Sequence, residues 1–391
     1  MPRSLVLLTQ TFQRFLASEQ IGGALLALGT LISLTLANSS FGATWQQVWH
    51  LPLGPLSIEL WINDALMAVF FLLIGLELER ELYVGELSNF RQALLPIIAA
   101  LGGLTAPALI HLALNGGTPA QSGFGIPMAT DIAFALGALA LLGNRVPNAL
   151  KVFVVAFAVM DDLGAILVIA AFYTTHLSFP YLAVSLSIWL GLVVLNRRFR
   201  VMALWPYLLG GILMWVTMLK SGVHATLAGV LLAFAIPFTH RDPTQESPSL
   251  RVEHALHRPV ALLILPIFAL ANTGITVDAA RLFELGSANS LGIMLGLLCG
   301  KPLGIVLTCA IAVVLKLCRL PDGVGWRHIV GAGILGGIGF TMSIFITNLA
   351  FADQATVVGT SKLAVLIASL CAGIVGVLWL TIAGKADRPA V

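Results

Sequence analysis

Charge is what this chain has least of. Of its 391 residues only 10% are Asp, Glu, Lys or Arg, while 58% are hydrophobic. A soluble domain carries about 25% charged residues, so a soluble enzyme or binding module is excluded. The four cysteines, Cys299, Cys309, Cys318 and Cys371, have no C-x-x-C spacing, which speaks against zinc or disulfide frameworks and for packing. No basic patch is present either. The Lys and Arg residues are spread along connecting segments, so nucleic acid is not an expected partner. No cleavable signal peptide is read, because the first apolar run, Ile21 to Ala37, follows twenty mixed residues without a convincing cleavage site.

What the chain has is long apolar runs. Stretches of roughly 17–25 residues cross a bilayer as helices. They occur near 14–36, 58–80, 93–115, 122–143, 150–174, 180–196, 202–219, 223–238, 256–273, 289–315, 327–350 and 357–383. The expected fold is an all-α polytopic membrane protein with twelve transmembrane helices, one integral membrane domain over 1–391. The segment 38–57, with Trp45, Trp49, Pro52 and Pro55, reads as an extracytoplasmic loop, and 239–252 as a cytoplasmic loop. With both termini inside, seventeen of the 21 basic residues fall on the inner side; Lys220, Arg281 and Lys362 lie outside and Lys301 within the membrane. Lys and Arg collect in cytoplasmic loops, so N- and C-termini in the cytoplasm are expected.

The run Val152–Phe172 carries two adjacent carboxylates at its centre, Asp161 and Asp162. Each costs roughly 2.5–3.5 kcal/mol at the middle of a membrane, roughly 5–7 for the pair. Folding alone gains nothing from them, which points to an ion or proton site. Neighbouring helical residues point about 100° apart. One carboxylate can therefore face a polar cavity while the other meets a partner on a different helix.

Two spans are poor continuous helices. The fourth holds Pro127, Thr130 and Asp131; the eleventh holds glycines 331, 333, 336, 337 and 339 before Thr341 and Ser343. Proline removes a backbone donor and glycine weakens a helix interior. Irregular backbone at membrane depth survives only where protein or a wet cavity covers it. Such paired interruptions mark transporters built from inverted repeats. Half-helix ends carry partial charges, which Asp131 and Lys301 can balance. Lys301 lies about ten residues from either end of its span, with roughly 15 Å of helix on each side. That depth calls for a partner, and either central aspartate qualifies.

A second cluster lies at the cytoplasmic ends of two spans: Glu77, Glu79, Arg80, Glu81 and Glu86 on one, Glu253, His254 and His257 before the other. His and Glu held together can titrate between about pH 5 and 8, and Arg80 relieves repulsion between Glu77 and Glu81. His224, in SGVHATLAGV, reads as a capping or packing histidine, and Asp64 has no assigned part.

Seven segments in order carry a resemblance: FLLIGLELERELYVGEL at 71–87, MATDIAFALG at 128–137, MDDLGAI at 160–166, SGVHATLAG at 221–229, EHALHRPV at 253–260, GKPLGI at 300–305 and GGIGFTMSIFI at 336–346. Together they resemble the NhaA family of bacterial sodium/proton antiporters over nearly the whole chain. NhaA is itself among the transporters from which the inverted-repeat rule was drawn, so the two arguments are not independent. The resemblance implies two broken, crossing helices, the fourth and eleventh, in an inner-membrane transporter. It makes Asp162 the main cation ligand and Asp161 a proton carrier that meets Lys301. Thr130 becomes a further ligand to the transported Na+, and Asp131 a dipole compensator where the broken helices cross. It assigns Glu77, Arg80, Glu81, His224, Glu253, His254 and His257 to pH sensing. Position 79 is Glu where the best-known form of the family has a basic residue, which bears on the pH set-point.

The expected activity is electrogenic exchange of Na+ or Li+ for H+, two protons per cation, without a resident cofactor. Sodium prefers oxygen ligands, and protonated carboxylates cannot hold it. The second proton step falls either to Asp161 as its Lys301 contact breaks or to Lys301 itself. Alternating access follows from rocking one bundle about the midplane site. Expected partners are the ions, membrane lipid and a second copy in a homodimer. The alternatives are an intramembrane aspartyl protease, which needs two aspartates on separate helices sharing a proton, and a Na+-coupled solute symporter of related fold. A channel lacks a ring-forming filter motif.

Overall fold

A computed structural model describes residues 21–174, 177–238 and 247–383. The start of the first expected span, most of the 239–252 loop, and both chain ends lie outside the described residues, as do Arg3, Arg14, Arg241, Lys385 and Arg388.

The chain is helical almost throughout. In order come α1 (Ile21–Ala37), α2 (Gly42–His50), a two-stranded hairpin of β1 (Pro52–Leu53) and β2 (Leu56–Ser57), and α3 (Ile58–Tyr83). Next are α4 (Phe90–Asn115), the tight 3-10 helix α5 (Pro119–Met128), α6 (Ile132–Leu141), α7 (Asn148–Phe172), α8 (Phe179–Arg197), α9 (Trp205–Ser221) and α10 (Leu227–Ala233). The remainder is α11 (Pro248–Asn272), α12 (Ala279–Glu284), α13 (Ala288–Val314), α14 (Trp326–Gly336), α15 (Phe340–Ala350) and α16 (Ala355–Ala383). Helices satisfy their own backbone groups, which is the condition for crossing lipid.

Among the described residues, seven helices are long and apolar enough to cross a membrane, and ten if each of three bent pairs forms one span. Two pairs are α5 with α6, bent by 41°, and α14 with α15, bent by 44°. The third joins α1 to α2 at 117°. The expected span at 202–219 is α9, of 17 residues. The one at 223–238 is helical only over the seven residues of α10. The physical reason lies at its edges: Gly222, at φ +81°, ends α9 in a left-handed turn, and Pro237 follows α10.

Two compact units form. The first takes the described parts of Met1–Gly42, Asn89–Ala165 and Asn272–Val391; the second takes Ala43–Ser88 and Ile166–Ala271. In the second, Leu72, Leu76, Tyr207, Met214, Leu232 and Ile236 make a buried core. Outward side chains of α8, such as Leu186, Leu190 and Val194, are exposed. An apolar exposed face suits contact with lipid.

In the first unit α13 packs on α4 through glycines at every fourth position. A Cβ at Gly300 would stand 2.8 Å from Pro107 Cα, and one at Gly304 would overlap the Gly102 carbonyl. Small residues let membrane helices approach this closely. Gly304→Val is therefore expected to cost about 1–3 kcal/mol or more, lowering the melting temperature in detergent. Gly191→Val on α8, where nothing lies within 4 Å, is the control and should melt like the parent. Just before Lys301, Gly296–Gly300 forms a wide π-turn, with the Lys301 amide reaching back to the Gly296 carbonyl. The turn accommodates Pro302, whose ring would crowd the carbonyl four residues earlier in a regular helix.

Candidate functional site

The breaks in the two bent pairs are hydrogen-bonded to each other. Asp131 N–H donates to the Ile338 carbonyl at 2.6 Å, and Thr130 Oγ1 donates to the Gly336 carbonyl at 2.9 Å. From the other side Ser343 Oγ donates to the Ile126 carbonyl at 2.6 Å. Helix ends leave backbone groups without partners, and each end here has a named one.

Asp131 serves two helix starts at once. Its Oδ1 accepts Phe134 N–H at 3.0 Å, capping α6. Its Oδ2 accepts Thr341 N–H at 3.0 Å and the Thr341 hydroxyl at 2.6 Å, in the first turn of α15. Anions are stabilising at helix N-termini, and this one is buried between two of them. Ser369 on α16 completes the α15 start, accepting Gly339 N–H at 3.2 Å and Phe340 N–H at 3.1 Å.

Lys301 supplies the opposite sign. Its Nζ donates to the carbonyl of Met128, the last residue of α5, and to Asp161 Oδ2 at 2.5 Å. Cations are favoured at helix C-termini. Lys301 and Asp161 are both 0% exposed, and Asp162 is 1% exposed. Thr130 lies beside Asp161, and Asp162 lies within electrostatic reach of Lys301. Thr130, Asp131, Asp161, Asp162 and Lys301 thus meet in one buried place in the first unit. Among the described residues no three His, Cys, Asp or Glu side chains gather as a resident metal site requires. The oxygens present are carboxylates, a hydroxyl and half-helix carbonyls, a donor set that suits a hard monovalent cation.

The other predicted residues gather in the second unit, where α3 ends against α11. Arg80 Nη1 pairs with Glu253 Oε1 at 3.2 Å, and Nη2 with Glu81 Oε1 at 3.3 Å. Arg80 thus joins Glu81 to Glu253 as well as screening Glu77. His254 and His257 act electrostatically on Glu253. Glu79 is buried and accepts from Ser249 Oγ at 2.8 Å, beside the N-cap of α11. His224 stands apart, its Nε2 donating to the Tyr173 carbonyl at 2.8 Å. Asp64 sits in a π-turn of α3, where its carbonyl accepts from Trp215 Nε1 at 3.3 Å.

Sequence reading missed Ser369 and the direct part of Thr341 and Ser343. A serine in an apolar helix ordinarily bonds its own backbone, so its type alone gives no signal.

Comparison with known proteins gives the family. The family model described as Na+/H+ antiporter 1 matches residues 13–380. A Dechloromonas aromatica protein named Na(+)/H(+) antiporter NhaA is 63% identical over 381 residues, 97% of this chain and 98% of its own length. The protein of that name from Cytophaga hutchinsonii is 58% identical over 372 residues, 95% of each chain. The one from Helicobacter pylori strain J99 is 45% identical over 420 residues, again 95% of each. Matched nearly end to end by the family and by these relatives, the chain belongs to the NhaA family of sodium/proton antiporters.

Proposed function

We propose that this protein exports Na+ or Li+ across the bacterial inner membrane in exchange for two protons, with pH control. The observation that carries the reading is the buried Asp161–Lys301 pair, with Asp162 and Thr130 beside it, where two broken helices meet. Asp162 is the principal cation ligand, with Asp161 and Thr130 completing an oxygen site. With its carboxylates ionised the site attracts a small hard cation; with them protonated it releases one. Sodium and protons therefore exclude each other. One proton rides on Asp162 and the second on the Asp161–Lys301 pair. Two protons in for one cation out moves one net charge inward, so a membrane potential contributes about 2.3 kcal/mol per 100 mV to export.

The architecture that goes with this is twelve spans arranged as inverted repeats. The fourth (α5–α6) and eleventh (α14–α15) are broken and cross, and both termini are cytoplasmic. Asp131 and Lys301 neutralise the half-helix ends at the crossing. The site is exposed alternately to the two sides of the membrane.

Proteoliposomes test the function. Adding Na+ or Li+ is expected to collapse an imposed pH gradient without any organic solute, and a potential-sensitive dye should report charge movement. Absence of flux, or flux only with an added solute, overturns the antiport reading; no voltage response overturns the stoichiometry. The pH control is assigned to Arg80, Glu81, Glu253, His254 and His257 with Glu77, and His224 is a separate contributor. Glu253→Ala leaves Arg80 with one fewer partner and is expected to shift the activation pH while preserving maximal flux. An unshifted profile removes Glu253 from the sensor. Glu79, buried on Ser249 in the same cluster, adds a carboxylate that helps set that pH.

A further inference from the structure

His328 is a buried histidine that the exchange mechanism does not use. It occupies the third position of α14, the half-helix that ends at Gly336 against Thr130. Its Nδ1 accepts the backbone N–H of the cap residue Gly325 at 3.0 Å, while its own N–H donates to the Gly325 carbonyl at 2.9 Å. The ring thus makes the half of a capping box that Glu or Gln usually makes at that position, while Gly325, without a side chain, returns only a backbone bond. Because Nδ1 accepts, the ring proton of the neutral form must sit on Nε2. Among the described residues that buried nitrogen meets no hydrogen-bond partner.

A proton changes the arrangement completely. Both ring nitrogens of a protonated histidine are donors, so the Gly325 amide loses its acceptor. A cation would also then sit at the positive end of the helix. Among the described residues of the elements packed on α14, no carboxylate is placed to compensate. Of the elements packed on α14, α13 carries only Lys301 as a charged group and α16 only Lys362; α6 carries none. The titratable cysteines there are Cys299 and Cys309 on α13 and Cys371 on α16. Lys301 is paired with Asp161, and Lys362 bonds Asn272 at 3.4 Å. The connection before α14 holds Lys316, Cys318, Arg319 and Asp322, with Asp322 exposed, and Arg327 on the helix itself is exposed.

We infer that His328 is a positioning residue whose neutral form holds the start of α14, and that its protonation releases the half-helix and weakens the ion site at its far end. The helix is 11 residues long and so spans about 16 Å. Its C-terminal carbonyl at Gly336 takes the Thr130 hydroxyl, and Ile338 just beyond takes the Asp131 amide. A loosened start therefore loosens the backbone that orients Thr130 and Asp131. The consequence for transport rests on the exchange reading above; the cap itself does not.

The test compares His328→Gln with the parent. Glutamine can accept the Gly325 amide at every pH. Near pH 8.5 the two proteins are expected to match in melting temperature and in Na+-driven proton flux. Near pH 5.5 the variant should melt higher. There it should also keep about fivefold more of its maximal flux than the parent does, the scale of one helix cap. Superimposable melting and flux profiles overturn the inference. A second measurement needs no variant to function. In 15N-histidine-labelled protein in liposomes at alkaline pH, the His328 signal, assigned by its loss in His328→Gln, is expected to be the Nε2–H tautomer. An Nδ1–H tautomer would overturn the cap. If the parent shows no Na+-dependent flux, the exchange reading fails, while melting and tautomer still decide the cap.

Discussion

Asp162→Asn is expected to abolish Na+-driven proton flux in proteoliposomes while leaving the protein folded. Truncating one partner of a buried charged contact costs about 2–5 kcal/mol, which is about 30- to several-thousandfold in affinity. Asparagine keeps the shape and one oxygen but carries no charge and takes up no proton. Both halves of the exchange therefore fail together. Asp162 is the better choice than Asp161 because the Lys301 contact is made by Asp161 Oδ2, so the ion pair survives the change. The melting temperature in detergent should stay close to that of the parent. Normal turnover by the variant would remove Asp162 from the site, and a large drop in melting temperature would make its role structural.

The second large effect is on stability. Lys301→Ala leaves Asp161 fully buried without its cation and strips the Met128 carbonyl of a donor. Breaking a buried pair by removing one member costs about 3–5 kcal/mol. A marked fall in melting temperature is expected, with a raised apparent KM for Na+ in whatever flux remains. The Lys301→Ala, Asp161→Asn double variant removes both charges and leaves the same cavity. It should recover most of the lost stability and none of the transport, because residues in one buried network do not act additively. Unchanged melting of Lys301→Ala would show that the pair contributes nothing to the fold. A double variant as unstable as the single one would show that the loss comes from packing rather than from an orphaned charge.

The two predictions separate because, of two aspartates adjacent in sequence, it is Asp161 that holds Lys301. Helical geometry turns them about 100° apart, so Asp162 can face a different direction without any loop or insertion. Asp131 shows the same economy in another form. One carboxylate caps α6 with one oxygen and the start of α15 with the other, so one buried charge serves two half-helices that are far apart in the chain.

Much of this was legible in the residues. Long apolar runs dictate membrane helices because lipid offers the backbone no other partner. The cost of carboxylates and a lysine at mid-depth singles out Asp131, Asp161, Asp162 and Lys301 before any fold is known. Pro127 and the glycines from 331 to 339 mark where regular helix fails. These are local properties, set by side-chain polarity and by φ/ψ and hydrogen-bond limits at single positions. Pairing is not local. Which aspartate meets Lys301, that Arg80 reaches Glu253, and that Ser369 holds the start of α15 were decided only by tertiary structure. The physical reason is reach: a hydrogen bond or ion pair forms within about 3 Å, and only packing of helices distant in sequence brings a given donor and acceptor that close.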